Sequence, residues 1–139
     1  MADTAKPQNA HVEERLQTES IIWLTSVRAD GRPHLVPVWF YWDGSTVLIF
    51  SQPNNQKIRN LRHNSNVMLA LEAKDGGDDV VLFEGKAELL QQPAAQVLPS
   101  GYEQKYAEGL KNLGMSKDQM MASYSQPIRI TPTKFISWT

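Results

Sequence analysis

Apolar residues along the chain fall into short β-rich runs, separated by clusters of Gly, Pro, Asn and Asp. "SIIWLTSVR" (20–28) is followed by the turn "ADGRP" (29–33), whose Asp-Gly pair is a strong hairpin signal. "HLVPVWFYW" (34–42) reads as the next strand, "DGS" (43–45) as a second tight turn, and "TVLIFS" (46–51) as a third strand. Three strands joined in this way predict an antiparallel meander. Helical spacing then takes over. Ile58 and Leu61 mark a short helix within 52–66, started by Pro and Asn residues. Strands return at 67–73 and 80–90, on either side of the turn "KDGGDD" (74–79). Residues 92–125 read as helices with a break near Pro99–Gly101, and 128–138 as a closing strand. Residues 12–19 fit a short amphipathic helix, with 1–11 a flexible tail ahead of it, and the whole of 1–139 reads as one domain.

About six mostly antiparallel strands with tight turns favour a barrel, or a sheet that curls on itself and so protects its apolar edges. Proline gives no N–H to a ladder. Pro37, inside the most apolar strand, therefore predicts an edge, a bulge or a special backbone task there, while Gly85 suggests a bulge and Pro132 a bulge or kink.

Composition narrows the function. A hydrophobic fraction of 41% with 21% charged residues is the balance of a folded, soluble chain. Lys+Arg 14 against Asp+Glu 15 leaves a net charge of -1, so no general basic field draws nucleic acid or an anionic membrane, and any anion site must be local. No run has the length of a membrane span and the first residues lack a secretory core, so a cytoplasmic address is expected. The absence of cysteine excludes disulfides, thiolate metal sites and a Cys nucleophile. His11, His34 and His63 have no metal-ligand spacing, and neither HExxH nor a calcium-loop pattern occurs, so no metal is expected. GxSxG and the Gly-rich nucleotide loops are absent too. His34 reads as a structural residue rather than a general base. Difficult chemistry would then have to come from a bound cofactor.

The most informative polar stretch is "SQPNNQKIRNLRHN" (51–64). A strand ends at Ser51, a turn leads into a helix, and Lys57, Arg59, Arg62 and His63 follow within seven residues. Free N–H groups and the positive end of the dipole make a helix start receptive to phosphate or carboxylate. Lys57 adds a full charge, and Arg59 has the planar fork for two parallel bonds to an anion. The plain alternative is a solvated basic helix face, the usual fate of a charge run. Among the tryptophans, Trp23 and Trp42 read as core or dimer packing. Trp39 shares a strand face with Pro37, and Trp138 at the chain end is expected to be docked against something planar or against a partner subunit.

Residues 24–72, with "DGRPHLVPVW", the "DG" turn and "KIRNLRHNSNV", resemble the split β-barrel flavin- and deazaflavin-binding proteins related to pyridoxamine 5′-phosphate oxidase. "EGKAEL" (84–89) and "RITPTKFISW" (129–138) extend the resemblance over most of the chain. The nearest branch is that of small deazaflavin (F420)-dependent oxidoreductases. The resemblance implies a mainly β fold with short helices, a six-stranded antiparallel split β-barrel of the FMN-binding type. It also implies a homodimer with two cofactor sites at the interface. Carried over by position, Val36, Pro37, Val38 and Trp39 lie along the ring, and Ser51, Gln56, Lys57, Arg59 and Asn60 hold the phosphate side. Trp138 approaches the ring from the other subunit. The chain is shorter than the oxidase and lacks a match to its substrate-phosphate residues, so vitamin B6 oxidation is not implied.

The function expected is hydride transfer between a small organic substrate and coenzyme F420 or FMN. The alternative is a non-catalytic flavin, haem or tetrapyrrole carrier on the same fold. In the cofactor reading Pro37 stands outside the ladder and Trp39 lies at the groove, whereas a continuous, solvent-facing strand there counts against it.

Overall fold

The computed structural model describes residues 5–138. Helix α1 (Ala10–Thr18) leads into β1 (Ile21–Val27), β2 (Pro33–Trp39), β3 (Tyr41–Trp42) and β4 (Val47–Ser51). Helix α2 (Gln56–His63) follows, then β5 (Asn66–Leu71), a 3-10 turn (Asp75–Gly77) and β6 (Leu82–Leu89). Three helices, α3 (Ala94–Val97), α4 (Ser100–Leu113) and α5 (Lys117–Ser123), precede the long β7 (Gln126–Phe135).

All strand pairs are antiparallel, in the order β2-β1-β5-β6-β7-β4-β3. The two hairpins foreseen at the Asp-Gly turns are present, with Gly31 at φ 89° and Gly44 at φ 99°, where a side chain would be strained. The meander is not. The run 34–42 breaks at Phe40, so β2 pairs only with β1 and β3 pairs only with β4, at opposite ends of the sheet. One continuous stretch of chain thus joins both edges, which curls the sheet into a split barrel and gives seven strands instead of six.

Residues far away in sequence cause the break. The Tyr106 hydroxyl accepts from the Phe40 N–H at 2.9 Å and lies 2.6 Å from the Ser20 carbonyl, to which it donates. Lys105 donates to the Phe40 carbonyl at 2.9 Å. The backbone groups that leave the ladder are therefore satisfied by helix α4.

Pro37 does not interrupt anything. It pairs with Trp23 in an unbroken β1–β2 register, as Pro33 does with Val27. The two prolines have the same parity on an edge strand, where a nitrogen facing away from β1 costs no ladder bond. The bulge expected in the last strands is present. Glu84 pairs with Lys134 and Gly85 with Pro132, so Thr133 is the extra residue. A Cβ on Gly85 would lie 2.9 Å from Ile130 and 3.0 Å from the Thr131 carbonyl, so only glycine fits.

Two apolar clusters fill the molecule. Ile22, Leu24, Ile49, Ile58, Leu69, Phe83, Ile128 and Ile130 are among those closing the barrel core, each fully buried and each stabilising by roughly 1.5–3 kcal/mol relative to exposure. The second cluster lies between the outward residues Leu48 and Phe50 of β4 and Tyr102, Tyr106, Leu110, Met120 and Met121 of the helical excursion. Helix α1 is tied on by Arg15, which is 4% exposed and donates to both the carboxylate and carbonyl of Asp79 and to the Glu72 carbonyl. The tail expected for 1–11 lies partly outside the described residues. Of the described part, Ala5 donates to the Pro132 carbonyl and α1 starts at Ala10. Among the described residues, no helix is long and apolar enough to cross a membrane.

Candidate functional site

Strand β2 and the start of α2 meet at the split of the barrel. On β1, Ile22, Leu24 and Ser26 point into the core, so their partners Val38, Val36 and His34 share that inward face. Pro37 and Trp39 lie on the other face. A cavity of about 490 Å³ opens here, bordered by Pro37, Val38 and Trp39 on one side and Lys57 and Phe50 on another. Helices α4 and α5 and the turn between them complete it with Tyr102, Gly109, Leu110, Leu113, Met115, Met120 and Tyr124, and Ile21 joins them from β1. Lys57 is its single charged wall residue.

Local sequence explains how α2 presents Lys57. Asn55 is the N-cap residue but gives no side-chain cap; its Oδ1 accepts from the Ser51 hydroxyl at 3.2 Å instead. The first-turn N–H groups are thus left without a side-chain acceptor. Ile58 and Leu61 bury the other side of the helix in the barrel. Below them runs a polar chain: Arg59 donates to Gln56 at 2.7 Å, Gln56 to Asn60 at 2.7 Å, and Asn60 to the Ser26 hydroxyl at 2.9 Å. Ser26 and Asn60 are both 1% exposed, so the chain pins α2 to β1.

Lys57 itself is half-buried and makes no hydrogen bond or ion pair among the described residues, and burial lowers its pKa. His34, across from Ser26, has its pKa lowered by burial first and then by the charges of Arg28 and Lys57. Its Nδ1 is buried without a partner. Lys57 therefore stands at this end of the site with no carboxylate paired to it among the described residues. That is an environment short of negative charge.

The residues expected to form the site fall into four places. Pro37, Val38, Trp39 and Lys57 line the cavity together. Ser51, Gln56, Arg59 and Asn60 sit around it in a supporting network: Ser51 is fully buried and donates to Gln52 and Asn55, while Arg59 also bonds the Asn54 carbonyl at 2.7 Å. Val36 faces the barrel interior. Trp138 lies elsewhere in the same chain. Its backbone pairs with Val80 and its indole N–H donates to the Gly77 carbonyl at 3.0 Å, which leaves it docked but 51% exposed.

Trp39 is close to the groove, as expected, but one of its faces is already taken. It stacks on Tyr106 at 4.4 Å between centroids and 9° between planes. The approach depends on Gly109, where a Cβ would fall 2.9 Å from the indole. Gly101 does the same for Tyr41, at 2.6 Å from its hydroxyl. Sequence reading named no individual residue of the α4–α5 wall; the small residues at 101 and 109 on one helix were the available signal. The strand itself meets part of the adverse condition, since β2 is continuous to Trp39 and Leu35 is 57% exposed. Its C-terminal half nevertheless lines the cavity.

The profile described as pyridoxamine 5′-phosphate oxidase matches residues 9–139. No curated protein sequence matches the chain. Solved structures resemble it over nearly their whole length. A conserved hypothetical protein from Mycobacterium tuberculosis is 27% identical with a TM-score of 0.73, covering 99% of this chain and 88% of its own. An F420 reductase is 22% identical with a TM-score of 0.65, covering 88% of this chain and 94% of its own. The haem storage protein HutZ from Vibrio cholerae is 18% identical with a TM-score of 0.67, covering 96% and 95%.

Proposed function

Because the chain belongs to the pyridoxamine 5′-phosphate oxidase family, we propose that it is an oxidoreductase which binds coenzyme F420 or FMN at the β2–α2 cavity and transfers hydride to or from a small organic molecule. The observation that carries the proposal is Lys57, an unpaired half-buried cation in an otherwise uncharged cavity, beside a helix start without a side-chain cap. Such a group is costly to bury without an anion, and the phosphate of either cofactor supplies one. The hydride chemistry belongs to the cofactor when bound.

The chain's own residues bind and orient. Lys57 and the first-turn N–H groups of α2 hold the phosphate. Arg59 has one exposed edge for the same anion, while Gln56, Asn60, Ser51 and Ser26 keep the helix in place. Pro37, Val38 and Trp39 form a flat apolar border for the ring, and Val36 supports that strand from the barrel side. Among the described residues no carboxylate or imidazole lines the cavity, and in this reading solvent is the proton source.

The homodimer belongs to this reading. Trp23, Leu35, Pro37 and Met68 are cross-strand neighbours on the outward face of β2–β1–β5, and Leu35 and Met68 are 57% and 37% exposed. A second copy seated there would close the open side of the cavity at Pro37, with the exposed indole of Trp138 available to a neighbouring site. The enzyme would act in the cytoplasm.

Replacing Lys57 with Ala tests the anion site. The affinity for the cofactor should fall at least tenfold, as expected for a charged hydrogen bond of roughly 1.5–3 kcal/mol. An unchanged affinity would return Lys57 to the solvated helix face. Binding without turnover of the reduced cofactor against enones, quinones and biliverdin-like acceptors would assign a carrier role instead of an enzymatic one.

A further inference from the structure

The cavity is far from uniform. Its β2–α2 end carries the cation; its α4–α5 end is built from Leu110, Leu113, Met115, Met120, Gly109 and Tyr124, without a charged group. We infer that this second end is a substrate subsite for an uncharged, planar, apolar molecule, with the Trp39–Gly109 contact setting its width. Calling that molecule the substrate rests on the cofactor reading above; the subsite itself does not.

Three observations carry the inference. First, a charged substrate would find no counter-ion at this end, and desolvating it there would be costly. Second, the walls suit a flat apolar body. Methionines adapt to irregular outlines, and Phe50, Tyr102 and Trp39 supply aromatic surface. Third, the width is fixed by packing. Trp39 is held between the cavity and Tyr106, and a Cβ on Gly109 would lie 2.9 and 3.0 Å from two atoms of its indole. Any side chain at 109 must push the indole away from α4, and the cavity is on its free side. Leu113, 63% exposed, belongs to the same apolar lining and is the wall residue most open to solvent.

N-phenyl-1-naphthylamine, a neutral probe that fluoresces in apolar surroundings, tests this by titration of the full chain with and without FMN. The cofactor-free protein should bind it, and Leu113→Asp, a change at an exposed position, should weaken binding about tenfold, the loss of one side chain's apolar contact. Lys57→Ala should leave probe affinity within about twofold, since Lys57 serves the other end. Gly109→Ala should weaken the naphthyl probe more than the smaller toluene. Its sulfonated relative, 8-anilinonaphthalene-1-sulfonate, should lose affinity once FMN occupies Lys57, while the neutral probe should not. The inference is overturned if Leu113→Asp leaves the neutral probe unaffected, or if FMN displaces that probe competitively, which would make this end part of the cofactor's own site. Failure of the cofactor reading shows separately, as wild-type protein that ignores FMN and F420 while still responding to Leu113→Asp.

Discussion

Lys57 and Lys105 are both half-buried lysines with lowered pKa values, yet their surroundings give them different roles. Lys57 lines the cavity. Lys105 has its ammonium 2.9 Å from the Phe40 carbonyl and 3.7 Å from the centre of the Phe40 ring, so its partners are internal. Burial brings the Lys105 pKa down to about 8, against a partial opposing pull from Glu19. The sign of its effect on stability follows. Between pH 8 and the unfolded value near 10.5 the unfolded chain holds a proton there that the native chain has released, so stability rises with pH across that window. Tyr102 and Tyr106 act in the opposite direction above about pH 10, because burial raises their pKa values and only the unfolded state ionises freely. Urea denaturation between pH 7 and 10 should therefore show stability climbing from about pH 8, and Lys105→Met should flatten that climb. A wild-type profile that is level or falling over pH 8–10 would contradict the account.

At the scale of elements, the turns and the short helix were legible because their causes are local. Asp-Gly pairs place glycine where φ is positive, and Ile58 with Leu61 marks a buried face in a helix of two turns. The strand break at Phe40 was not legible. Nothing within 34–42 dictates it; the hydroxyl of Tyr106, 66 positions away, and the neighbouring Lys105 do. Pro37 misled for a related reason: whether a proline breaks a ladder depends on which way its nitrogen faces, which only the pairing decides. Tyr106→Phe tests the break. It leaves Phe40 and Ser20 backbone groups short of partners and should cost about 1–3 kcal/mol in urea denaturation. A loss below a few tenths would mean that water serves the break equally well. Helix α1 offers a second test through Asp79, whose carboxyl is held below the usual range first by the His11 hydrogen bond and then by Arg15. Its contribution is present above the unfolded value near 4 and lost as pH falls through the folded one. Asp79→Asn should cost about 1–3 kcal/mol near neutrality, because Arg15 loses its nearer carboxylate and keeps only Glu19 at 3.8 Å. The variant should also lose part of the acid-side slope in thermal melts.

For the molecule as a whole, the family resemblance reached furthest for the barrel and the position of β2 against α2, and least for the walls. The α4–α5 wall comes from a segment whose sequence says helix and little else, and Trp138 packs on the 74–79 turn of its own chain. The proposed dimer face, the outward side of β2–β1–β5, shares Pro37 with the cavity. In the proposed homodimer, Leu35→Glu places a charge on the edge strand of that face and should shift the protein from dimer to monomer in sedimentation, weakening cofactor binding with it. A wild-type monomer at tens of micromolar would remove the interface from the account. The central claim is that the cavity at β2 and Lys57 is a flavin or deazaflavin site. Absorbance and fluorescence titration of the purified protein with F420 and with FMN tests it most directly. The account predicts saturable binding of at least one of them in the micromolar range, at one per chain, with a perturbed ring spectrum; a protein that binds neither at tens of micromolar contradicts it.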